Sequence, residues 1–323
     1  MSSPTFDVNT TAKEVAAAFP DQIKGKTILV TGTSLKSIGF TTAQALAKDA
    51  DLLIITGRSL EKLKETEAAL KAEYPSANIR PLTLDLASRA SVRKAAAEVN
   101  AYTEPLHVGI LIHNAASVIG AFKLNEDKLE SQFSSNHVSP FLFTKLVAPK
   151  LIASATPTFA PRVIFVSSGA HAHGAIDWDT LTAPDESKYV PIMAYAQSKI
   201  ANVLTAKELT KRSGGRIQAY SLHPGAVATS EVPETVVTLQ SLGFYTPEGK
   251  PNTEKFSFKS REQGASTTVV AAIDPRIEGQ GGVYLNDSVV ANESVSAAAS
   301  DPANAERLWT VTEEILGEKF TFA

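Results

Sequence analysis

The stretch from Thr27 to Lys48, TILVTGTSLKSIGFTTAQALAK, decides the fold. Thr27 to Thr31 is a short apolar run that reads as a strand buried on both faces. A helical pattern begins at Ile38 and runs to Lys48. Between them lies a glycine-containing turn, Gly32-Thr33-Ser34-Leu35-Lys36-Ser37-Ile38-Gly39. Strand, glycine turn and helix N-terminus together make a phosphate cradle, because free backbone N–H groups and the helix dipole both favour anions there. The turn is not the G-x-G-x-x-G fingerprint, and glycine-containing turns between strand and helix are frequent.

The same alternation continues outward. Apolar runs at Leu52 to Thr56, Ile79 to Leu84, Val108 to Ile112, Val163 to Ser167 and Ile217 to Leu222 read as buried strands, with a seventh at Gly282 to Leu285. Helical patterns lie between them at Leu60 to Tyr74, Ser88 to Asn100, Lys128 to Ser154 (with breaks) and Tyr195 to Arg212. Strands alternating with helices predict an α/β fold: a doubly wound parallel sheet of about seven strands with helices on both faces. No repeat, low-complexity tract or composition break marks a linker, so residues 1–323 are expected to form one domain. Residues 1–25 read as an N-terminal extension whose Thr11 to Phe19 helix packs on the main body, and 300–323 as a C-terminal helix. Residues 230–260 mix prolines and glycines with apolar side chains and read as a long loop serving as a substrate lid, the alternative being an ordinary helix-containing insertion packed on the core.

Composition narrows the function classes. The chain has 323 residues, 43% hydrophobic and 20% charged, enough to bury a substantial core. Net charge is −3 and no Lys/Arg run is present, so no nucleic-acid partner is expected. The absence of cysteine excludes disulfides, thiolate catalysis and Cys-ligated zinc. No apolar run approaches the roughly 18 to 20 residues of a membrane span. Met1 to Asn9 lacks an apolar signal core, and a cytoplasmic location is expected.

Chemistry enters at Tyr195-Ala196-Gln197-Ser198-Lys199. Residues four apart share a helix face, so a phenol and an ammonium are presented together. The ammonium is expected to lower the tyrosine pKa towards neutrality and fit it for proton transfer. The alternative is a surface helix with one half-buried tyrosine and one solvated lysine. Other polar residues fall at the carboxyl ends of predicted strands, where open α/β sheets bind ligands: Asp85-Leu86, Asn114-Ala115 and Ser167-Ser168. Capping could explain any one of them, but not readily all of them together with Tyr195 and Lys199. At the end of the second strand stands Arg58, where an acid would bond the ribose of NAD. Arg58, with Lys36 in the glycine turn, suits a 2′-phosphate and argues for NADP(H) over NAD(H). Its alternative is simple neutralisation of Glu61 or Glu65.

In order and spacing, Thr31-Gly32…Ile38-Gly39, Asp85-Leu86, Asn114-Ala115, Asn136, Ser168, Tyr195…Lys199 and Pro224-Gly225-Ala226-Val227-Ala228-Thr229 resemble the short-chain dehydrogenase/reductase family from about Lys26 to Leu285. Asn136 to Leu142 (NHVSPFL) and Tyr195 to Leu204 (YAQSKIANVL) are similar to its retinol-dehydrogenase-like branch, in a soluble, fungal-type form. The resemblance implies a Rossmann-type fold and hydride transfer between NADP(H) and a carbonyl or alcohol. It implies Tyr195 as general acid/base, Lys199 holding the nicotinamide ribose and lowering the Tyr195 pKa, Ser168 polarising the substrate oxygen, and Asn136 keeping a water in a relay to Lys199. It further implies cofactor contacts from Gly32, Ser34, Leu35, Lys36, Ser37, Ile38, Gly39, Arg58, Asp85, Leu86, Asn114, Ala115, Tyr195, Lys199, Pro224, Gly225, Val227 and Thr229. Substrate would be read by residues 230–260 and by the Gly169 to Pro191 insertion, and their apolar content favours an apolar or aromatic ketone, aldehyde or alcohol.

Two positions depart from the family pattern. The glycine turn carries one extra residue and Ser37 replaces its middle glycine, which predicts a rearranged turn. Asn-Ala-Gly becomes Asn114-Ala115-Ala116, a methyl that narrows the groove. Two alternatives on related folds are a non-catalytic NADP-binding regulatory protein, disfavoured by the intact polar set, and an extended-family epimerase or dehydratase, disfavoured by the lack of a larger C-terminal domain. No metal is expected: His171 and His173 lack a third ligand and are assigned to the pocket wall, while His107, His137 and His223 are read as structural. A monomer is favoured over a homodimer, the Ser168 to Tyr195 insertion covering the helix faces through which many relatives dimerise.

Overall fold

The computed structural model describes residues 4–102, 108–229 and 233–322. His107 and the start of the expected lid at Ser230 therefore lie outside the described residues.

Ten strands form among the described residues: β1 (Thr27–Val30), β2 (Leu52–Gly57), β3 (Ile79–Thr83), β4 (Val108–His113), β5 (Arg162–Val166), β6 (Gln218–His223), β7 (Ala226–Val227), β8 (Phe258–Lys259), β9 (Tyr284–Asn286) and β10 (Val289–Val290). Eight of them make one sheet in the order β10-β9-β6-β5-β4-β1-β2-β3. All its pairings are parallel except β10 on β9. β10 is the eighth strand, beyond the seven expected. It escaped notice because it is two residues long and closes a hairpin through Asp287 and Ser288, both at positive φ. A two-residue hairpin turn demands that conformation, and here Asp and Ser supply it in place of the more usual Asn-Gly.

The helices are α1 (Ala12–Ala18), α2 (Ile38–Ala47), α3 (Leu60–Glu73), α4 (Arg89–Ala101), α5 (Ser131–Phe133), α6 (Ser139–Ala153), α7 (Trp178–Thr182), α8 (Pro191–Arg212), α9 (Pro233–Ser241), α10 (Arg261–Ile273), α11 (Ala297–Ser300) and α12 (Pro302–Leu316). Ser37, Ser59 and Ser88 cap α2, α3 and α4 by accepting from the third residue beyond them. Each such cap contributes about 1 kcal/mol. The caps fix where each chain segment leaves the carboxyl edge of the sheet.

Alternation along the strands divides the core into two layers. Leu29, Ile54, Leu111 and Phe165 face the layer built from α4, α6, α8 and α12. Ile28, Val30, Ile55, Ile112 and Val166 face the layer built from α1, α2, α3 and α10. The doubly wound, Rossmann-like expectation is met. The Thr11 helix packs as expected, with Thr11 and Glu14 forming a reciprocal capping box and Val15 fully buried.

Two expectations change. Residues 233–260 carry regular structure of the helix-containing kind: α9, a bridge between Tyr245 and Pro251, stacked Phe244 and Phe256 rings 4.3 Å apart, and β8 paired to β7. The helix layer over α6 and α8 is covered by α12, not by the insertion alone: Trp309 lies 4.6 Å from Phe141 of α6, and Arg212 of α8 stacks on Trp309 at 5.1 Å.

Candidate active site

β1 has β2 on one side and β4 on the other, so successive crossovers leave its carboxyl end in opposite directions. That divergence opens a crevice between the ends of β1 and β4. Thr31 and Asn114 knit its floor. The Thr31 hydroxyl accepts from the Asn114 and Ala115 amides, both at 3.0 Å, and Asn114 Nδ2 donates to the carbonyls of Thr31 at 2.9 Å and Gly32 at 3.1 Å. Gly32 takes φ +73°, and a side chain at Gly39 would strike the Gly32 carbonyl and the Asn114 amide. The start of α2 is thereby pressed against the crevice floor.

Ser37 occupies the position of the missing glycine and closes the turn. Its hydroxyl donates to the Gly32 carbonyl at 3.2 Å and accepts from the Phe40 amide at 3.0 Å. Lys36 absorbs the extra residue at φ +63°. The turn is rearranged, as its length predicts. The first-turn amides of α2, at Ile38 and Gly39, have no acceptor within the helix. Ser34, Leu35 and Lys36 are exposed beside them, and the turn carries no carboxylate. This donor set fits a dinucleotide phosphate. Arg58, at the end of β2, is exposed and among the described residues forms no salt bridge with Glu61 or Glu65. Asp85 accepts from the Ala87 amide at 3.0 Å, and the Leu86 carbonyl accepts from Ser139 at 2.7 Å.

On the other side of the crevice, α8 brings Tyr195 beside Ser168, whose side chain acts to lower the pKa of the phenol. Lys199 is buried, with its ammonium nitrogen donating to the Val166 carbonyl at 2.9 Å and lying 5.4 Å from the Tyr195 ring centre. Ser167 ties β5 to the Lys199 carbonyl at 2.8 Å. Asn136 sits in a π-helical turn, Ser134–Val138. Its amide accepts from Ser117 N at 2.6 Å and donates to Ser117 O at 2.9 Å and to Ser198 at 3.0 Å. Ser198 in turn donates to the Tyr195 carbonyl. Asn136 thus touches the tyrosine's helix through Ser198, while Lys199 bonds elsewhere.

The titration of the pair differs from the expected one. Burial raises the Tyr195 pKa, against a smaller lowering by the Ser168 side chain. Burial also pulls Lys199 down to about 7. Burial leaves Lys199 partly neutral near pH 7, so it offers the phenol little positive charge, and desolvation of the phenol wins.

Pro224 to Thr229 leave β6 and become β7. Val227 pairs in register with Lys259 of β8, Gly225 lies under the Lys259 side chain, and Thr229 is exposed. His171 and His173 do not make a metal pair: His171 is buried and His173 exposed. Among the described residues no group of three possible ligands occurs. His171 is therefore interior, not pocket wall. His137 is structural as expected, bonding Thr312 at 2.8 Å and Thr205 at 3.3 Å.

The family model described as short chain dehydrogenase matches residues 26–238. This chain belongs to the short-chain dehydrogenase family.

Its relatives include the WW domain-containing oxidoreductase of Danio rerio, 34% identical over 98% of this chain and 74% of that protein. Retinol dehydrogenase 12 of Mus musculus is 32% identical over 92% and 88%, and the short-chain dehydrogenase/reductase prx1 of Penicillium roqueforti is 33% identical over 92% and 86%. The fold recurs in a solved protein of Mycobacterium paratuberculosis at TM-score 0.71 and 24% identity, covering 95% of this chain and 98% of that one. As a short-chain dehydrogenase the chain belongs to an oxidoreductase family. Among its described residues no helix is long and apolar enough to cross a membrane.

Sequence reasoning missed several residues that build this dehydrogenase's site. Ser117 and Ser198 complete the bonding of Asn136, and Val166 holds Lys199 through its carbonyl. Ser117 carries no motif signal, and a main-chain acceptor carries none by nature. Ser198 lay in plain view inside the Tyr-x-x-x-Lys segment.

Proposed function

We propose that this short-chain dehydrogenase is an NADP(H)-dependent reductase of apolar or aromatic ketones and aldehydes, able to run in reverse as an alcohol dehydrogenase. The observation that carries the reading is the grouping of Tyr195 with Ser168, which acts on its phenol, and with buried Lys199, whose ammonium lies 5.4 Å from the Tyr195 ring, beside the β1–β4 crevice.

Bound nicotinamide supplies or accepts the hydride. The chain does the rest. First-turn amides of α2 receive phosphate, and Arg58 and Lys36 receive the 2′-phosphate that distinguishes NADP(H). Asp85, Leu86, Asn114 and Ala115 would hold the adenosine side, and Pro224, Gly225, Val227 and Thr229 the nicotinamide end. Ser168 donates to the substrate oxygen. Tyr195 delivers the proton to that oxygen in reduction and removes it in oxidation. A phenol with a raised pKa stays protonated across the neutral range, which suits the acid role and hence reduction. Lys199, anchored on the Val166 carbonyl one helical turn from Tyr195, would hold the nicotinamide ribose, with Asn136 bracing the same helix through Ser198. Exposed Val118, Val190, Met193, Val237 and Leu242, with the stacked rings of the 230–260 segment, support an apolar substrate.

The test is a spectrophotometric assay at fixed cofactor concentration over aromatic, aliphatic and polar sugar carbonyls, with NADPH and NADH in parallel. The reading expects turnover with NADPH on the apolar members. NADH preferred over NADPH, or turnover confined to sugars, would contradict it.

A further inference from the structure

The segment Ser168-Gly169-Ala170-His171-Ala172-His173-Gly174 forms a 3-10 turn directly after β5. Ser168 is pinned at both ends of its peptide unit. Its hydroxyl oxygen accepts from the Ala170 amide at 3.2 Å, which fixes the rotamer and leaves the hydroxyl proton to be given away. Its carbonyl accepts from the His171 amide at 3.2 Å and lies 2.7 Å from His171 Nδ1. A carbonyl at that distance requires a proton on Nδ1. His171 Nε2 is buried without a partner among the described residues, in keeping with the same tautomer.

The imidazole is held from behind. It packs on the Tyr284 ring with centroids 4.9 Å apart, the Tyr284 hydroxyl lies at a longer 3.4 Å from the same Nδ1, and Tyr284 is almost wholly buried in β9. Ser296 donates to the His171 carbonyl at 3.0 Å. Three residues on, Gly174 brings the turn onto α8, where a side chain would lie 2.8 Å from the Ala196 Cβ, beside Tyr195. One end of the turn fixes Ser168 and the other registers it against the helix that carries Tyr195.

We infer that His171 is a positioning residue, whose Nδ1–H clamps the Ser168 carbonyl and so aims the Ser168 hydroxyl at the oxygen shared by Tyr195 and the substrate. The inference rests on the proposed roles of Ser168 and Tyr195. It assigns the buried histidine to the reaction without contact to substrate or cofactor.

Two variants separate this from a packing role. His171→Phe keeps a ring against Tyr284 and loses the donor. His171→Asn loses the ring and keeps a donor at the δ position. With an active carbonyl substrate, His171→Phe is expected to lower kcat by about 10- to 100-fold, the scale of a misaimed catalytic group, with NADPH affinity unchanged. His171→Asn is expected to recover most of that loss. In a Ser168→Ala background, His171→Phe is expected to cost nothing further, because coupled residues are not additive. Imidazole nitrogen NMR on labelled protein, with His171→Asn for assignment, is expected to show the Nδ1–H tautomer.

Full activity in His171→Phe, a loss that adds to that of Ser168→Ala, or an Nε2–H tautomer would each overturn the inference while leaving the reading of Ser168 and Tyr195 intact. The tautomer decides the matter even where His171→Phe does not fold. Undiminished turnover in Ser168→Ala would instead remove the reading on which the inference stands.

Discussion

Asn114 and Gly32 are joined across the β1–β4 crevice by a hydrogen bond of 3.1 Å from the Asn114 side-chain amide to the Gly32 carbonyl. The same nitrogen bonds the Thr31 carbonyl, so one side chain sets the height of the phosphate turn above the sheet. Asn114→Ala removes both bonds. It is expected to cost about 1–3 kcal/mol in stability, the usual price of orphaned polar groups, and to weaken NADPH binding in fluorescence titration. Unchanged cofactor affinity would show that the turn stands without Asn114.

Arg58 is exposed and makes no salt bridge with its own helix among the described residues. Its charge is therefore available to a 2′-phosphate. Arg58→Ala is expected to weaken NADPH binding by roughly 10- to 100-fold, the worth of a charge-assisted contact, and to leave NADH binding nearly unchanged. Equal weakening of both cofactors would place Arg58 elsewhere in the site.

Buried ionisable groups predict the dependence of stability on pH. Burial holds His113 and His137 near a pKa of about 3, against the usual 6.5. Between those values the unfolded chain binds protons that the folded one refuses. Their contribution is complete above pH 6.5 and is lost as pH falls towards 3. Lys199, depressed from 10.5 to about 7, follows the same sign in its own window: stability is lost as pH falls from 10.5 to 7. Urea denaturation across pH is expected to show both slopes, and Lys199→Met to flatten the alkaline one. Lys26 and Lys207, also lowered by burial, contribute in the same sense, so an alkaline slope undiminished in Lys199→Met would mean that Lys199 stays charged in the fold.

Trp309 of α12 is 2% exposed and packs with Phe141 and Phe320 over the outer face of α6 and α8. A helix face already covered is closed to a second copy, so light scattering is expected to give a monomer near 34.3 kDa. A dimer mass would mean that another surface associates.

Much of this was legible in the sequence because strand burial and helix period write themselves into residue order. Thr27–Val30 and Leu52–Gly57 fall within a residue of where apolar runs place them. The polar residues were legible as a set because they recur at strand ends. Their bonding was not. Nothing in the order of residues says that Asn136 spends its amide on Ser117 and Ser198, or that Lys199 turns to the Val166 carbonyl. The direction of the Tyr195 shift failed for a related reason: spacing brings lysine to tyrosine, but depth decides which effect wins, and depth depends on the whole fold. The helix α9 was not legible because prolines and glycines surround it, and its end is tied down by Gln240 donating to the Thr246 and Pro247 carbonyls, a pairing that residue order does not announce.

The most direct test of the central claim is Tyr195→Phe, with NADPH affinity measured by fluorescence and carbonyl reduction followed through NADPH absorbance on the same preparation. The account predicts affinity close to wild type and loss of turnover by about 10²- to 10⁴-fold, the usual contribution of a positioned acid. Turnover that persists at wild-type level with cofactor bound would contradict Tyr195 as the proton donor, and with it the mechanism proposed for this chain.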